Sequence, residues 1–149
     1  DNFDPVKSHV IPALILKFAK AIEDNDSSVE LWGTGSASRE FLYVDDCASA
    51  ISLCLERDTT PHPINIGTCS EITIRKLAET LSEIMGYEGK IKFNSDYPDG
   101  QPRRCLDTSR AYKVLGFRAK TELYKGLKET VSWFYKNKEK FVDYFNNIQ

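Results

Sequence analysis

No stretch of this 149-residue sequence approaches the ~20 consecutive apolar residues of a membrane-spanning helix. No signal-peptide pattern opens it either. An excess of one charge is also missing: the net charge of −2 gives no electrostatic argument for nucleic acid or an acidic membrane as partner. The four cysteines, Cys47, Cys54, Cys69 and Cys105, show no Cys-x-x-Cys spacing, and no metal site is expected. Cys47 and Cys54 sit seven residues apart on one predicted helix, about two turns from each other, too far for a disulfide. Reduced core thiols of a cytoplasmic protein are the expectation. Internal repeats and low-complexity tracts are absent. Residue 1 is Asp rather than Met, and Asp1-Asn2-Phe3 opens without an element before it, so a piece of a longer chain is expected.

What is present is ordinary globular composition, 41% hydrophobic and 28% charged, enough for one domain with a core. The chain is organised around residues 28–46. Val29–Trp32 predicts a strand, Gly33-Thr34-Gly35-Ser36 a turn and Phe41–Val44 a second strand. This is a hairpin that makes neighbours of Trp32 and Arg39. An aromatic plane and a guanidinium suit a nucleotide, one for the base and one for the phosphates. Asp45 or Asp46 then N-caps the next helix. Gly33-x-Gly35-x-x-Ser38 imitates the start of a dinucleotide loop, which requires a helix opening on a third glycine. Here a β-rich segment follows, and a turn is the better reading.

Before that stretch, Ser8 to about Asn25 predicts an amphipathic helix, with Val10, Ile11, Leu14, Ile15, Phe18, Ala21 and Ile22 at helical spacing. Ser8 is its expected N-cap, and Pro12 falls in the tolerated first turn. After it, residues 46–56 predict a second helix with Ala50, Ile51, Cys54 and Leu55 apolar. Residues 58–63 predict a turn and residues 64–67 a short strand. Thr73 caps a third helix that Gly86 stops. Lys90–Asn94 predicts a strand with Ile91 and Phe93 on one face, and residues 95–104 an irregular segment punctuated by Pro98, Gly100 and Pro102. Thr108 caps a short helix ending at Gly116. Thr121 starts another helix, carrying Leu123, Leu127, Val131 and Phe134, followed by a basic, aromatic tail to Gln149. The order of elements predicts a small α+β assembly.

Residues 32–46, Trp-Gly-Thr-Gly-x-x-x-Arg-Glu-Phe-Leu-Tyr-Val-Asp-Asp, resemble the substrate-side segment of extended short-chain dehydrogenase/reductases acting on nucleotide sugars. Two further segments are similar to the GDP-sugar epimerase–reductases of that family. One is Asp1-Asn2-Phe3-Asp4-Pro5 with Ser8-His9-Val10-Ile11-Pro12-Ala13-Leu14; the other is Pro98-Asp99-Gly100-Gln101-Pro102-Arg103-Arg104. The resemblance covers nearly the whole chain but only the C-terminal half of such an enzyme. It implies a small substrate-binding lobe over residues 1–149, with a helix and strand at 46–66 that would complete a Rossmann-type domain supplied by the other half. The implied whole enzyme is cytoplasmic and homodimeric. It inverts GDP-4-keto-6-deoxy-D-mannose at C3 and C5 and reduces the C4 ketone with NADPH. NADP(H) would be held mainly by the N-terminal domain, together with the family's glycine loop, catalytic Ser, Tyr-x-x-x-Lys pair and acid–base Cys. None of the four cysteines here matches that Cys, so the chain alone is expected to be inactive.

The resemblance assigns roles residue by residue. His9 becomes the acid–base partner in epimerisation and lies beside the nicotinamide; imidazole titrates near neutral pH, which suits giving a proton to an enolate and being reloaded. Alone, it would read as a helix-cap or surface histidine. Lys17, Arg39, Arg103 and Arg104 become a diphosphate clamp, where otherwise they read as solvated surface. Trp32 lies against the nucleotide rather than in a core. Asp99 accepts hydrogen bonds from the GDP-sugar, where otherwise it stabilises a turn. The rivals are the substrate lobe of another nucleotide-sugar epimerase, dehydratase or reductase, and a non-catalytic nucleotide-binding or protein-interaction module. His9 argues against a simple 4-epimerase or dehydratase.

Overall fold

The computed structural model describes residues 3, 4, 7–57 and 61–141. Residues 1, 2 and 5 of the opening motif, 58–60 of the expected turn, and the tail from 142 to 149 lie outside the described residues.

Helix α1 (Val10–Glu23) forms where the apolar stripe predicts it, burying Leu14, Ile15, Phe18 and Ala21. Ser8 is not its cap. The Ser8 N–H donates to the Asp4 carbonyl at 2.9 Å, which holds Ser8 in the preceding turn, and His9 takes the N-cap position with no side-chain cap bond. Strand β1 (Ser28–Trp32) does not fold back into a hairpin either. It pairs parallel with β4 (Lys90–Asn94), in the register Ser28↔Lys90 to Trp32↔Asn94. The Gly33 N–H extends that ladder to the Asn94 carbonyl at 2.9 Å. Gly33 and Gly35, at φ of 79° and 74°, then turn the chain out of the β1 plane. The next strand, β2, is Ser38–Glu40 rather than Phe41–Val44. It lies in a separate three-stranded sheet, antiparallel to β3 (Glu71–Thr73) and parallel to β5 (Arg103–Arg104). The irregular 95–104 segment thus ends in a short strand.

Helix α2 (Val44–Glu56) starts after Tyr43 with no side-chain cap; Asp45 and Asp46 lie inside its first turn, where carboxylates favour the helix dipole. Asp46 is buried and reaches elsewhere, accepting the N–H groups of Thr121 at 2.9 Å and Lys120 at 3.2 Å. Burial is the strongest single influence on its carboxyl and pulls the pKa upward. The Thr121 and Lys120 hydrogen bonds and the Lys120 charge together outweigh burial and hold the pKa below the ordinary carboxylate value.

Helix α3 (Ile74–Met85) has the predicted ends: the Thr73 hydroxyl accepts the Lys76 N–H at 3.2 Å, and Gly86 closes the helix in the left-handed conformation at φ 72°. Helix α4 (Ser109–Leu115) has Thr108 at its N-cap position, but the Asp107 carboxylate makes the bond, accepting the Ser109 N–H at 2.8 Å. Helix α5 (Leu123–Lys136) begins after Glu122, two residues beyond Thr121, whose N–H is taken by Asp46. A short 3₁₀ turn, Lys138–Phe141, follows. Residues 64–66 are not a strand; a strand exists through its partner, and no described strand pairs there. The cysteines are free, but none is a core thiol: Cys47, Cys54 and Cys105 are half-buried and Cys69 is exposed.

The class is the expected α+β, with two hydrophobic clusters. The larger joins α1, α3, α5, β1 and β4 around Phe18, Leu77, Leu81 and Phe134; the smaller joins α2 and α4 through Ala50, Ala111, Leu115 and Phe117. Among the described residues, no helix is long and apolar enough to cross a membrane, and no group of three or more His, Cys, Asp or Glu could hold a metal ion.

Candidate functional site

One helix carries two of the residues singled out. His9 stands exposed at the N-terminus of α1, and Lys17 lies eight residues on, roughly 12 Å along the axis. His9 lines an open, mainly apolar cavity of about 450 Å³ with Phe3, Pro12, Phe41, Tyr43 and Trp133. Lys17 is fixed at the other end, its Nζ donating to the Glu30 carbonyl at 3.0 Å and lying 5.9 Å from the centroid of the Trp32 ring. Burial lowers the pKa of Lys17, with the nearby Glu30 charge opposing. Trp32, at the end of β1, is 66% exposed and stacks on Tyr97, with centroids 4.6 Å apart and planes at 11°.

Two loops are tied together beside this stack. Asp99 Oδ1 accepts the N–H groups of Thr34 (2.6 Å) and Gly35 (3.3 Å), and Oδ2 accepts the hydroxyls of Thr34 (2.6 Å) and Ser36 (3.4 Å). Those bonds, the Thr34 hydroxyl foremost, hold the Asp99 carboxyl below the ordinary range. Gly33 is required here, since a Cβ would collide with the Asp99 carboxylate. Both Asp99 oxygens therefore accept bonds from the loop. Arg75 secures the same loop from α3. Its Nη2 donates to the Thr34 carbonyl at 2.6 Å, and its guanidinium lies 4.0 Å over the Phe93 ring.

The four cations proposed as one clamp are distributed. Register Arg39↔Arg104 puts these two on one face of the small sheet, and the Arg39 guanidinium is close to Gly100, its Nη1 donating to the Ser38 carbonyl at 2.6 Å. Register Ser38↔Arg103 puts Arg103 on the opposite face, where its Nε pairs with Glu71 at 2.8 Å. The Ser38 hydroxyl donates to the same carboxylate at 2.8 Å. The Arg103 bond, then Ser38, holds the Glu71 carboxyl low, and Glu71 raises Arg103 in turn. Lys17 sits with Trp32. Sequence reasoning missed Tyr97 and Arg75; the signal for Tyr97 was an aromatic residue in a turn-rich segment that has no core to fill.

An exposed aromatic stack, a loop knot and an arginine pair on adjoining strands make up the candidate site. Residues 1–67 match the NAD dependent epimerase/dehydratase family. Over 137 residues, 92% of the chain, the sequence is 43% identical to a probable GDP-L-fucose synthase 1 of Oryza sativa subsp. japonica. It is 41% identical over 150 residues to the GDP-L-fucose synthase of Escherichia coli (strain K12). Over most of its length the chain is similar in sequence to GDP-L-fucose synthases. It spans 42% and 46% of the length of those two relatives. A GDP-L-colitose synthase of Yersinia pseudotuberculosis is 35% identical over 139 residues, with 45% of its length covered. The crystal structure of a GDP-L-fucose synthetase from Naegleria fowleri superposes with a TM-score of 0.86 at 28% identity, covering 93% of this chain and 43% of that one. That protein has also been solved bound to NADP, with the same TM-score.

Proposed function

We propose that this chain is the GDP-sugar-binding, C-terminal part of a GDP-L-fucose synthase, which converts GDP-4-keto-6-deoxy-D-mannose to GDP-L-fucose. The observation that carries the reading is the juncture of Trp32 with the Asp99-tied loops and the Arg39–Arg104 pair: a base-sized aromatic face beside two arginines on one face of a sheet. Arg39 and Arg104 bind the diphosphate, with Lys17 beside the base end and Arg103 holding β5 to β3 through Glu71. The sugar then lies toward His9.

The chemistry assigned to His9 is a proton transfer. A carbon next to the C4 ketone loses its proton to give an enolate, and the enolate is reprotonated on its opposite face; His9 is one member of the acid–base pair. An exposed imidazole lining an open, mainly apolar cavity can both meet substrate and exchange its proton with solvent. NADP(H) supplies the hydride for the C4 ketone when bound. The Gly33–Ser36 turn does not fit its phosphates, because Thr34 and Gly35 give their N–H groups to Asp99, Gly33 to the Asn94 carbonyl and Ser36 to the Thr34 hydroxyl. We therefore assign the cofactor to the N-terminal part of a longer enzyme, with residues 46–66 packing against it. The free thiols support a cytoplasmic setting.

The identity to a GDP-L-colitose synthase favours a second reading in which the sugar is another GDP-4-keto-deoxyhexose. In the full-length protein, His9→Gln abolishes deuterium incorporation from D₂O into the sugar while GDP binds as before. Wild-type exchange in that variant, followed by NMR, removes His9 from the chemistry.

A further inference from the structure

We propose that Tyr97 is a further binding residue of the nucleotide site, forming with Trp32 an aromatic stack that a purine base extends. The inference deepens the nucleotide-site reading above and rests on it.

Tyr97 is held over Trp32 by its backbone rather than by burial. Asn94 is the register partner of Trp32, and its side-chain oxygen accepts the Asp96 N–H at 3.0 Å. The Tyr97 N–H points back to the Asn94 carbonyl at 3.4 Å. Two residues further on, Asp99 is tied to the Gly33–Ser36 loop. The segment that presents the tyrosine is thus fastened at both ends to the loop that follows Trp32. The rings still remain 41% and 66% exposed. A core contact would hide them; with Lys17 Nζ over the Trp32 ring, the outer face of Tyr97 is the one open to a further flat ring. Near-parallel planes at 4.6 Å are the arrangement that a heteroaromatic base continues.

The surroundings select the ligand. From Tyr97 to Gly100, which adjoins the Arg39 guanidinium, the chain can span at most roughly 10 Å. One molecule carrying a flat ring at one end and phosphates at the other reaches both. Aromatic stacking alone is tolerant of base identity, and the wider face of a purine covers more of the outer ring of the stack than a pyrimidine does. A purine nucleoside diphosphate fits these features together.

The test is calorimetric titration of the full-length protein with GDP and with GMP. Tyr97→Ala should weaken both by the same factor, about tenfold, because the loss is at the base. Tyr97→Phe, which keeps the ring, should bind both within about twofold of wild type. Arg39→Ala should penalise GDP more than GMP, marking the phosphate end. Three outcomes overturn the inference while leaving the nucleotide site in place: GDP affinity unchanged in Tyr97→Ala, a Tyr97→Ala loss larger for GDP than for GMP, or a Tyr97→Phe loss as large as that of Tyr97→Ala. Failure of the wild-type protein to bind GDP overturns both readings.

Discussion

Helices α1, α3 and α5 bury Phe18, Leu77, Leu81 and Phe134 almost completely, whereas α2 and α4 share a cluster of four small-to-medium contacts around Ala50. Both regions carry apolar helix faces; their use of those faces differs. Helix α2 has one face on α4 and another stripe, Val44, Ile51 and Leu55, at 67%, 57% and 85% exposure. These positions recur at helical spacing, so they form a continuous band rather than scattered surface residues. Burial thus separates a self-sufficient lobe, which carries the candidate nucleotide surface, from a helix with an apolar side uncovered. We assign that side to the remainder of a longer enzyme.

The sharpest way to break this comparison is to make the same change in both regions. Leu81→Ala, at a fully buried position, should cost about 2–5 kcal/mol of stability in urea unfolding. An intermediate effect falls at the seam between the two regions. Asp46→Asn weakens the acceptor of the Lys120 and Thr121 N–H groups and should cost about 1–3 kcal/mol. Its pH dependence has a definite sign. The folded pKa is depressed, so the ionised Asp46 contributes its full stability above the unfolded value of about 4 and loses it as pH falls through the folded value. The gap between wild type and Asp46→Asn should therefore close below about pH 4; a constant gap removes the charge from the explanation. The smallest effect is expected for Leu55→Ala, within about 0.5 kcal/mol in the isolated chain. Should Leu55→Ala match Leu81→Ala in that chain, the division into two regions fails. Hydrogen exchange gives the same contrast without mutation: residues 44–56 should exchange faster than α1 and α3.

Elements governed by neighbours in sequence were legible. Thr73 and Gly86 bracket α3 because a cap and a left-handed stop act within a few residues. The periodicity of α1 and α5 found their buried faces for the same reason. What failed depended on distant partners. Val29–Trp32 was seen as a strand, but its neighbour is Lys90–Asn94, and nothing local tells a parallel partner from a hairpin. Residues 64–66 have strand composition and no described strand beside them. Trp32 was found through its family motif. Tyr97 escaped because only the fold brings its loop over β1, and Asp99 was known by type and not by the loop it ties. Four cations were legible as a candidate clamp; which face of the small sheet Arg39, Arg103 and Arg104 each occupy follows from register alone.

The parallel pairing of β1 with β4 also sets an order of events. Roughly sixty residues separate the paired positions, so the chain must close a long loop before the first bond between them forms. Such closure is slow, and a ribosome delivers β1 well before β4 exists. Trp32 and the Gly33–Ser36 loop therefore wait, unpaired, until α2, α3 and the 95–100 segment have been made. The candidate nucleotide surface is assembled late and all at once, so a chain ending before Asp99 would lack the tie between its two loops.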